Sequence, residues 1–80
     1  MKTVTLSFED DGWIVHCEVV EASGEARAWM YGLAFQSFEA ALMVALEEYI
    51  NYSGKSTIEM TKPAAKIAVR QIEKVAHDRG

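Results

Sequence analysis

The fold is decided by residues 3–20, which read TVTLSFEDDGWIVHCEVV. The first half alternates polar and apolar side chains, which is the period of a half-buried β-strand. In the second half, the odd positions from Trp13 to Val19 are apolar and the even positions are mixed, which predicts a second strand. Between them, Asp-Asp-Gly at residues 10–12 supplies an Asp-Gly turn, a strong hairpin signal. The chain is therefore expected to begin with an antiparallel hairpin.

A turn at residues 21–24 and a third strand at residues 25–31 are predicted next. The alanines of this strand suit a face covered by a helix, because small side chains allow close approach. That interpretation turns outward the side chains of Arg27, Trp29 and Tyr31.

The first helix is predicted to start after Ser37, whose hydroxyl suits an N-cap. Helical spacing then places seven apolar residues on one broad stripe: Phe38, Ala41, Leu42, Ala45, Leu46, Tyr49 and Ile50. Residues 55–60 are interpreted either as a linker or as a short fourth strand at residues 57–59.

A second helix is expected to follow the capping residue Thr61. Its apolar side is predicted to consist of Ala65, Ala68, Val69, Ile72, Val75 and Ala76. Basic residues recur every four positions on the other side, at Lys66, Arg70 and Lys74. The expected architecture is a single α+β domain over residues 1–80. A three-stranded antiparallel β-meander packs against one amphipathic helix, and a basic C-terminal helix completes it (βββαα).

Composition restricts the class of protein. Half of the 80 residues are apolar, too many for a disordered chain. The longest apolar run, residues 40–46, is far shorter than the roughly 20 residues of a spanning helix, so no membrane association is expected. One cysteine cannot form an internal disulfide, and we expect a cytoplasmic protein.

No arrangement of residues indicates catalysis. His16 and Cys17 are adjacent, so in a strand they point to opposite faces and cannot act as a base and nucleophile or share a metal ion. Asp10 and Asp11 are interpreted as turn formers. We therefore expect a protein that is not an enzyme and that has no metal site and no cofactor.

Charge is divided along the chain. Residues 1–59 contain ten acidic and three basic residues, whereas residues 60–80 contain two acidic and five basic ones. Either the basic helix lies near Glu47 and Glu48 of the same chain, or the acidic body binds a basic partner surface. Direct nucleic-acid binding is not expected, because eight lysines and arginines in all neutralise few phosphates. The predicted partner-binding residues are Glu9, Asp10, Asp11, Glu18, Glu21 and Glu25.

A second group is predicted on the outward face of the sheet. Trp, Tyr and Arg dominate interface hot spots, and here they are accompanied by an isoleucine and a histidine. One interpretation is that this face is a contact surface for a partner, which includes the seam of a homodimer. The other is that the second helix or a second copy of the chain covers it, so that it is part of the core. The residues are Ile14, His16, Arg27, Trp29 and Tyr31.

Two stretches resemble the HicB antitoxin family. They are Gly-Trp-Ile-Val at residues 12–15 and Gln-Ser-Phe-Glu-Ala-Ala-Leu at residues 36–42, continuing through Glu-Glu-Tyr-Ile at 47–50. The family's proline- and glycine-bearing segment between strand and helix is replaced here by residues 22–35. The resemblance covers about half of the chain and implies neutralisation of a small basic toxin.

The overall profile is similar to that of phage-encoded anti-CRISPR inhibitors, which are short, acidic and poor in cysteine. Those families share no motif, so no residue is carried over. The similarity implies a chain that acts in the cytoplasm of a phage host and occupies a basic nucleic-acid-binding surface on a Cas effector.

Overall fold

The computed structural model describes residues 1–31 and 34–79, except for the side chains of residues 78 and 79. The elements, in chain order, are β1 (Lys2–Glu9), β2 (Gly12–Val20), β3 (Ala26–Met30), α1 (Phe38–Ile50), β4 (Ser56–Met60) and α2 (Lys62–Arg79). The α+β class is confirmed. The sheet has four strands rather than three, because residues 56–60 form the short fourth strand that is one of the two interpretations of this segment.

The sheet is mixed, with the strand order β3-β2-β1-β4. β1 and β3 each run antiparallel to β2, whereas β4 runs parallel to β1. A parallel partner cannot follow a tight turn, so the chain needs a crossover to reach it, and α1 supplies that crossover. Val4 illustrates the register, since it lies opposite Cys17 on β2 and Ile58 on β4.

The predicted hairpin is present, but its turn differs in detail. Glu9 pairs with Gly12, so the two loop residues are Asp10 and Asp11, with φ of 50° and 62°. Positive φ at both central positions is the signature of a type I′ turn. Gly12 instead belongs to the strand, where an added Cβ would lie 2.3 Å from the Cβ of Ala34. The glycine therefore serves close packing rather than the turn.

The core lies between the sheet and the helices, on the face that the alternation of β1 and β2 predicts. The largest buried side chains come from these two strands, and Trp13 is the bulkiest of them. Its ring lies 5.1 Å from the ring of Phe38 at the start of α1. The other buried apolar residues are Val4, Leu6, Val15, Cys17, Val19, Ala41, Ala45, Ala64 and Ala68.

The stripe predicted for α1 is correct only in its first half. Ser37 caps the helix, accepting a hydrogen bond from the Ala40 amide at 3.2 Å. Beyond Ala45, however, Leu46 and Ile50 are exposed, the latter by 71%. Glu48 is partly buried there instead, so the inward face of the second half of α1 is polar.

α2 lies on the same side of the sheet as α1. The Gln71 Oε1 atom accepts hydrogen bonds from the Phe38 amide at 2.9 Å and from Trp13 Nε1 at 3.3 Å. The core-facing side of α2 is rotated relative to the prediction, because Ala64 and Ala68 are buried while Val69 and Ile72 are each 53% exposed. The three basic residues predicted to face outward, Lys66, Arg70 and Lys74, are exposed.

The predicted facing of β3 is wrong. Trp29 lies opposite Cys17 and Arg27 lies opposite Val19, and residues opposite each other in a ladder share a face. Both therefore point to the helix side, and so does Tyr31, whose hydroxyl reaches α1. Alanines on the covered face would be expected only if a helix covered β3, but α1 packs across β1, β2 and β4.

Among the described residues, no helix combines the length and the apolar character that crossing a membrane requires.

Candidate functional site: the open face of the sheet

Because both helices lie on one side, the other side of the sheet is uncovered, and we call it the open face. The alternation of the strands and their register define its members. They are Thr3, Thr5, Ser7, Glu9, Ile14, His16, Glu18, Val20, Ala26, Ala28, Met30, Thr57 and Glu59.

The β1 and β4 side of the open face is polar with an acidic bias, whereas Val20, Ala26, Ala28 and Met30 make its β3 edge apolar. Thr5 lies at its centre, opposite His16 on one side and Glu59 on the other. Its hydroxyl donates to Glu59 Oε1 at 3.3 Å. Two further carboxylates, Glu9 and Glu18, share the face, whereas no lysine or arginine of the four described strands points to it. A basic surface could approach this face without meeting a like charge.

The six predicted partner-binding acids do not form one patch. Three of them, residues 9–11, surround the β1–β2 turn, whereas Glu21 and Glu25 flank the β2–β3 turn. These turns lie at opposite ends of β2, whose nine residues span about 30 Å. Glu18 lies on the open face between them, and Glu21 approaches Arg27 at 3.6 Å. The acids therefore border the open face at both ends.

The five predicted face contacts are also divided. Ile14 and His16 lie on the open face, half-buried and exposed respectively. Arg27, Trp29 and Tyr31 lie on the helix side, where the two aromatic residues belong to a polar cluster that the sequence analysis did not identify.

That cluster is centred on Glu48. Its Oε2 lies 2.8 Å from Lys2 Nζ, its Oε1 accepts a 2.5 Å hydrogen bond from the Tyr31 hydroxyl, and the Cys17 thiol lies 3.7 Å away. The Lys2 ammonium also lies 5.4 Å from the centre of the Trp29 ring. The Lys2 side chain is only 5% exposed and that of Glu48 is 21% exposed. The cluster therefore ties β1, β2, β3 and α1 together.

The charged and polar groups of the cluster are paired with one another. Hydrogen bonds from Lys2 and Tyr31 hold the pKa of Glu48 below its ordinary value. The bond to Glu48 raises the pKa of Tyr31 to about 12. Burial, reinforced by the Glu48 charge, raises the pKa of Cys17 to about 11. A thiol with so high a pKa is a poor nucleophile, because only the thiolate reacts. The arrangement fits a structural ion pair.

A sequence signal for this cluster exists. Glu48 follows Phe38, Ala41 and Ala45 at helical spacing, so it falls in phase with the buried face of α1. Lys2 similarly precedes Val4 by two residues and falls in phase with the buried face of β1. A lysine and a glutamate that are both in phase with a core predict a buried pair.

Two clefts among the described residues are small in comparison with known ligand pockets. One, of about 160 Å³, separates the start of α1 from α2, and Glu39 and Ile72 lie on its opposite sides. Another, of about 210 Å³, lies between Leu42 of α1 and Ile58 of β4. Pockets for drug-sized ligands have volumes of about 300–1,000 Å³. These clefts are smaller than that, so a surface is the better candidate site.

No group of three or more histidine, cysteine, aspartate or glutamate side chains within residues 1–31 and 34–77 is placed to hold a metal ion. No family model, curated protein or solved structure matches this chain.

Proposed function

We propose that this chain is a small acidic binding inhibitor that acts without catalysis. In this proposal its open face docks on a basic surface of a partner protein that normally holds nucleic acid. The supporting observation is the open face itself, a four-stranded surface with the carboxylates of Glu9, Glu18 and Glu59 and no described lysine or arginine.

The borders of the open face support the same function. Acidic residues lie at both connecting turns, so a partner groove that accommodates the sheet meets negative charge at both ends of a span of about 30 Å. Charges so arranged raise the rate of encounter with a basic surface and lose that effect in high salt. The profile shared with anti-CRISPR inhibitors makes a guide-loaded Cas effector in the host cytoplasm the proposed partner, with its DNA channel as the basic surface.

The test is a competition assay with purified components. Labelled target DNA is bound to guide-loaded Cas effectors, and the protein is titrated against the complex at several salt concentrations. We expect DNA to be displaced, with an inhibition constant that rises as salt is added. If DNA binding by every effector tested is unaffected at low salt, the Cas assignment is wrong.

Matched single variants test which face binds. Glu18→Lys changes the open face, and Glu73→Lys changes an exposed position on α2, each raising the net charge from −4 to −2. Because one contact is converted from attraction to repulsion, we expect Glu18→Lys to weaken inhibition about fivefold or more. Glu73→Lys should change it less than about twofold. Equal effects of the two variants would mean that net charge matters and the open face does not.

A second candidate is a HicB-like antitoxin that neutralises a small basic toxin. Its specific support is that the strand and the helix that carry the resemblance pack directly together, through the Trp13 and Phe38 rings. Partner size distinguishes the two candidates. Co-purification with a small basic toxin, together with no effect on Cas effectors, would favour the antitoxin.

A further inference from the structure

The helix layer leaves two apolar stripes exposed. On α1, Met43, Leu46 and Ile50 are spaced i, i+3 and i+7, and all three are exposed. On α2, Val69 and Ile72 are each 53% exposed. Such spacing places each set on one side of its helix, away from the core. Scattered apolar residues on a surface are ordinary, but two ordered stripes on neighbouring helices are not.

The two stripes have borders of opposite charge. Glu39 and Glu47 are exposed beside the stripe of α1. On α2, Lys66 and Arg70 are exposed beside the stripe that contains Val69, together with the acidic Glu73, so this border is basic on balance. The α1 surface of one copy is therefore complementary to the α2 surface of another in both apolar character and charge.

The overall dimensions indicate how much surface is available. The chain exposes 5723 Å². A compact monomer of 8.9 kDa exposes about 4,800 Å². The excess of about 900 Å² reflects an elongated shape, and it leaves ample surface for the roughly 800 Å² that each partner buries in a standard protein–protein interface.

The excess surface comes with an elongated shape. The radius of gyration is 13.9 Å, and the longest extent is 50 Å against 24 Å and 20 Å for the others. Compact packing of 80 residues gives a radius of gyration of about 11.6 Å. On α2, the buried residues Ala64 and Ala68 both lie in the first half of the helix, and none of residues 72–77, which follow the contact of Gln71 with Phe38, is buried.

We infer that two copies of this chain pair through their helix layers, with α2 of each copy lying along the α1 stripe of the other. The arrangement is a symmetric dimer in which the same patch serves both chains. It leaves both open faces on the outside, each free to dock on a partner. This inference does not rest on the proposed function, because it uses the opposite side of the molecule.

Sedimentation velocity and light scattering of the full chain test the pairing from about 1 to about 100 µM. We expect a mass of twice 8.9 kDa at the upper end. The double variant Ile50→Ser/Ile72→Ser removes apolar contact at exposed positions, so the fold should persist while the mass falls to that of one chain. Met30→Ser, at a 59% exposed position on the open face, should remain dimeric.

Charge-reversal variants test whether α1 of one copy contacts α2 of the other. Glu39→Lys/Glu47→Lys and Lys66→Glu/Arg70→Glu each place like charges across the proposed contact. Each should weaken dimerisation by about tenfold or more. Combining all four substitutions keeps the net charge at −4 and should restore the dimer.

A wild-type chain that stays monomeric throughout would overturn the inference. So would a dimer that Met30→Ser dissociates and Ile50→Ser/Ile72→Ser does not, because that result would place the seam on the sheet. Neither outcome affects the DNA competition assay, so the dimer and the inhibitor function can fail separately.

Discussion

Replacing Glu48 with leucine should destabilise the protein by leaving a buried ammonium without its partner. The Lys2 side chain is 5% exposed, and its ammonium lies 2.8 Å from the Glu48 carboxylate. Removing one partner of a fully buried ion pair costs about 3–5 kcal/mol. Glu48 is 21% exposed, so water relieves part of that cost, and we expect about 2–4 kcal/mol. For a domain of this size, that lowers the melting temperature by about 4–8 °C for each kcal/mol.

Removing Lys2 instead of Glu48 should lower the free energy of unfolding by a smaller amount. In Lys2→Met the Glu48 carboxylate keeps its hydrogen bond from Tyr31 and its contact with water, so the expected loss is about 1–2 kcal/mol. The double variant Lys2→Met/Glu48→Leu replaces the pair with apolar groups of similar volume. Its free energy of unfolding should lie within about 1 kcal/mol of the wild-type value, because no buried charge remains unpaired. The two substitutions are therefore expected to be strongly non-additive.

Urea denaturation followed by the fluorescence of Trp13 and Trp29 measures all four proteins of this cycle. Glu18→Leu, at an exposed position on the opposite side of the sheet, is the control and should change the unfolding free energy by less than about 0.5 kcal/mol. The pKa of Glu48 is lowered by folding, so its contribution is present above the ordinary glutamate pKa and is lost as the pH falls through the folded value. The gap between wild type and Glu48→Leu should accordingly narrow in acid. Additive losses in the double variant would refute the idea that the pair acts as a unit.

Three further predictions concern local features. Asp11→Gly should stabilise the protein by about 0.5–1 kcal/mol in thermal unfolding, because glycine adopts the φ of 62° without steric cost. Gln71→Leu should destabilise it by about 1–3 kcal/mol in urea, since it deprives the Phe38 amide and Trp13 Nε1 of their acceptor. In an ultraviolet titration, one tyrosine should ionise near pH 12, and Tyr31→Phe should remove that transition. Folding raises the pKa of Tyr31, so stability should decline as the pH rises from about 10 to about 12.

The hairpin and its core face were predictable from sequence because a period of two is a local property. Val4 and Leu6 on β1, and Val15 and Cys17 on β2, are buried as their alternation indicates. The caps at Ser37 and Thr61 were equally local signals, and both hydroxyls accept hydrogen bonds from the first turn of a helix.

The features that sequence reasoning missed depend on contacts between distant segments. The sequence leaves residues 57–59 open between a linker and a fourth strand, because β4 is only five residues long and its parallel pairing with β1, across more than 50 residues of sequence, leaves no decisive local signal. The facing of β3 depends on where α1 crosses the sheet, and five residues that include two alanines do not determine that path. Of the three acids on the open face, Glu9 and Glu18 were predicted, whereas Glu59 was not, because its place on that face depends on the pairing of β4 with β1.

Trp29 and Tyr31 show why residue type alone misplaces an interface. Aromatic residues on an edge strand have the composition of a binding hot spot. Here the Tyr31 hydroxyl bonds to Glu48, and the Trp29 ring faces the Lys2 ammonium, so both stabilise a charge pair that β1 and α1 bring into the protein. On the open face, hydroxyls and carboxylates occupy the β1 and β4 side and small or aliphatic residues occupy the β3 edge, while the helix layer presents exposed aliphatic residues of its own. A polar surface suited to a charged partner and an apolar surface suited to a second copy therefore lie on opposite sides of the same small domain.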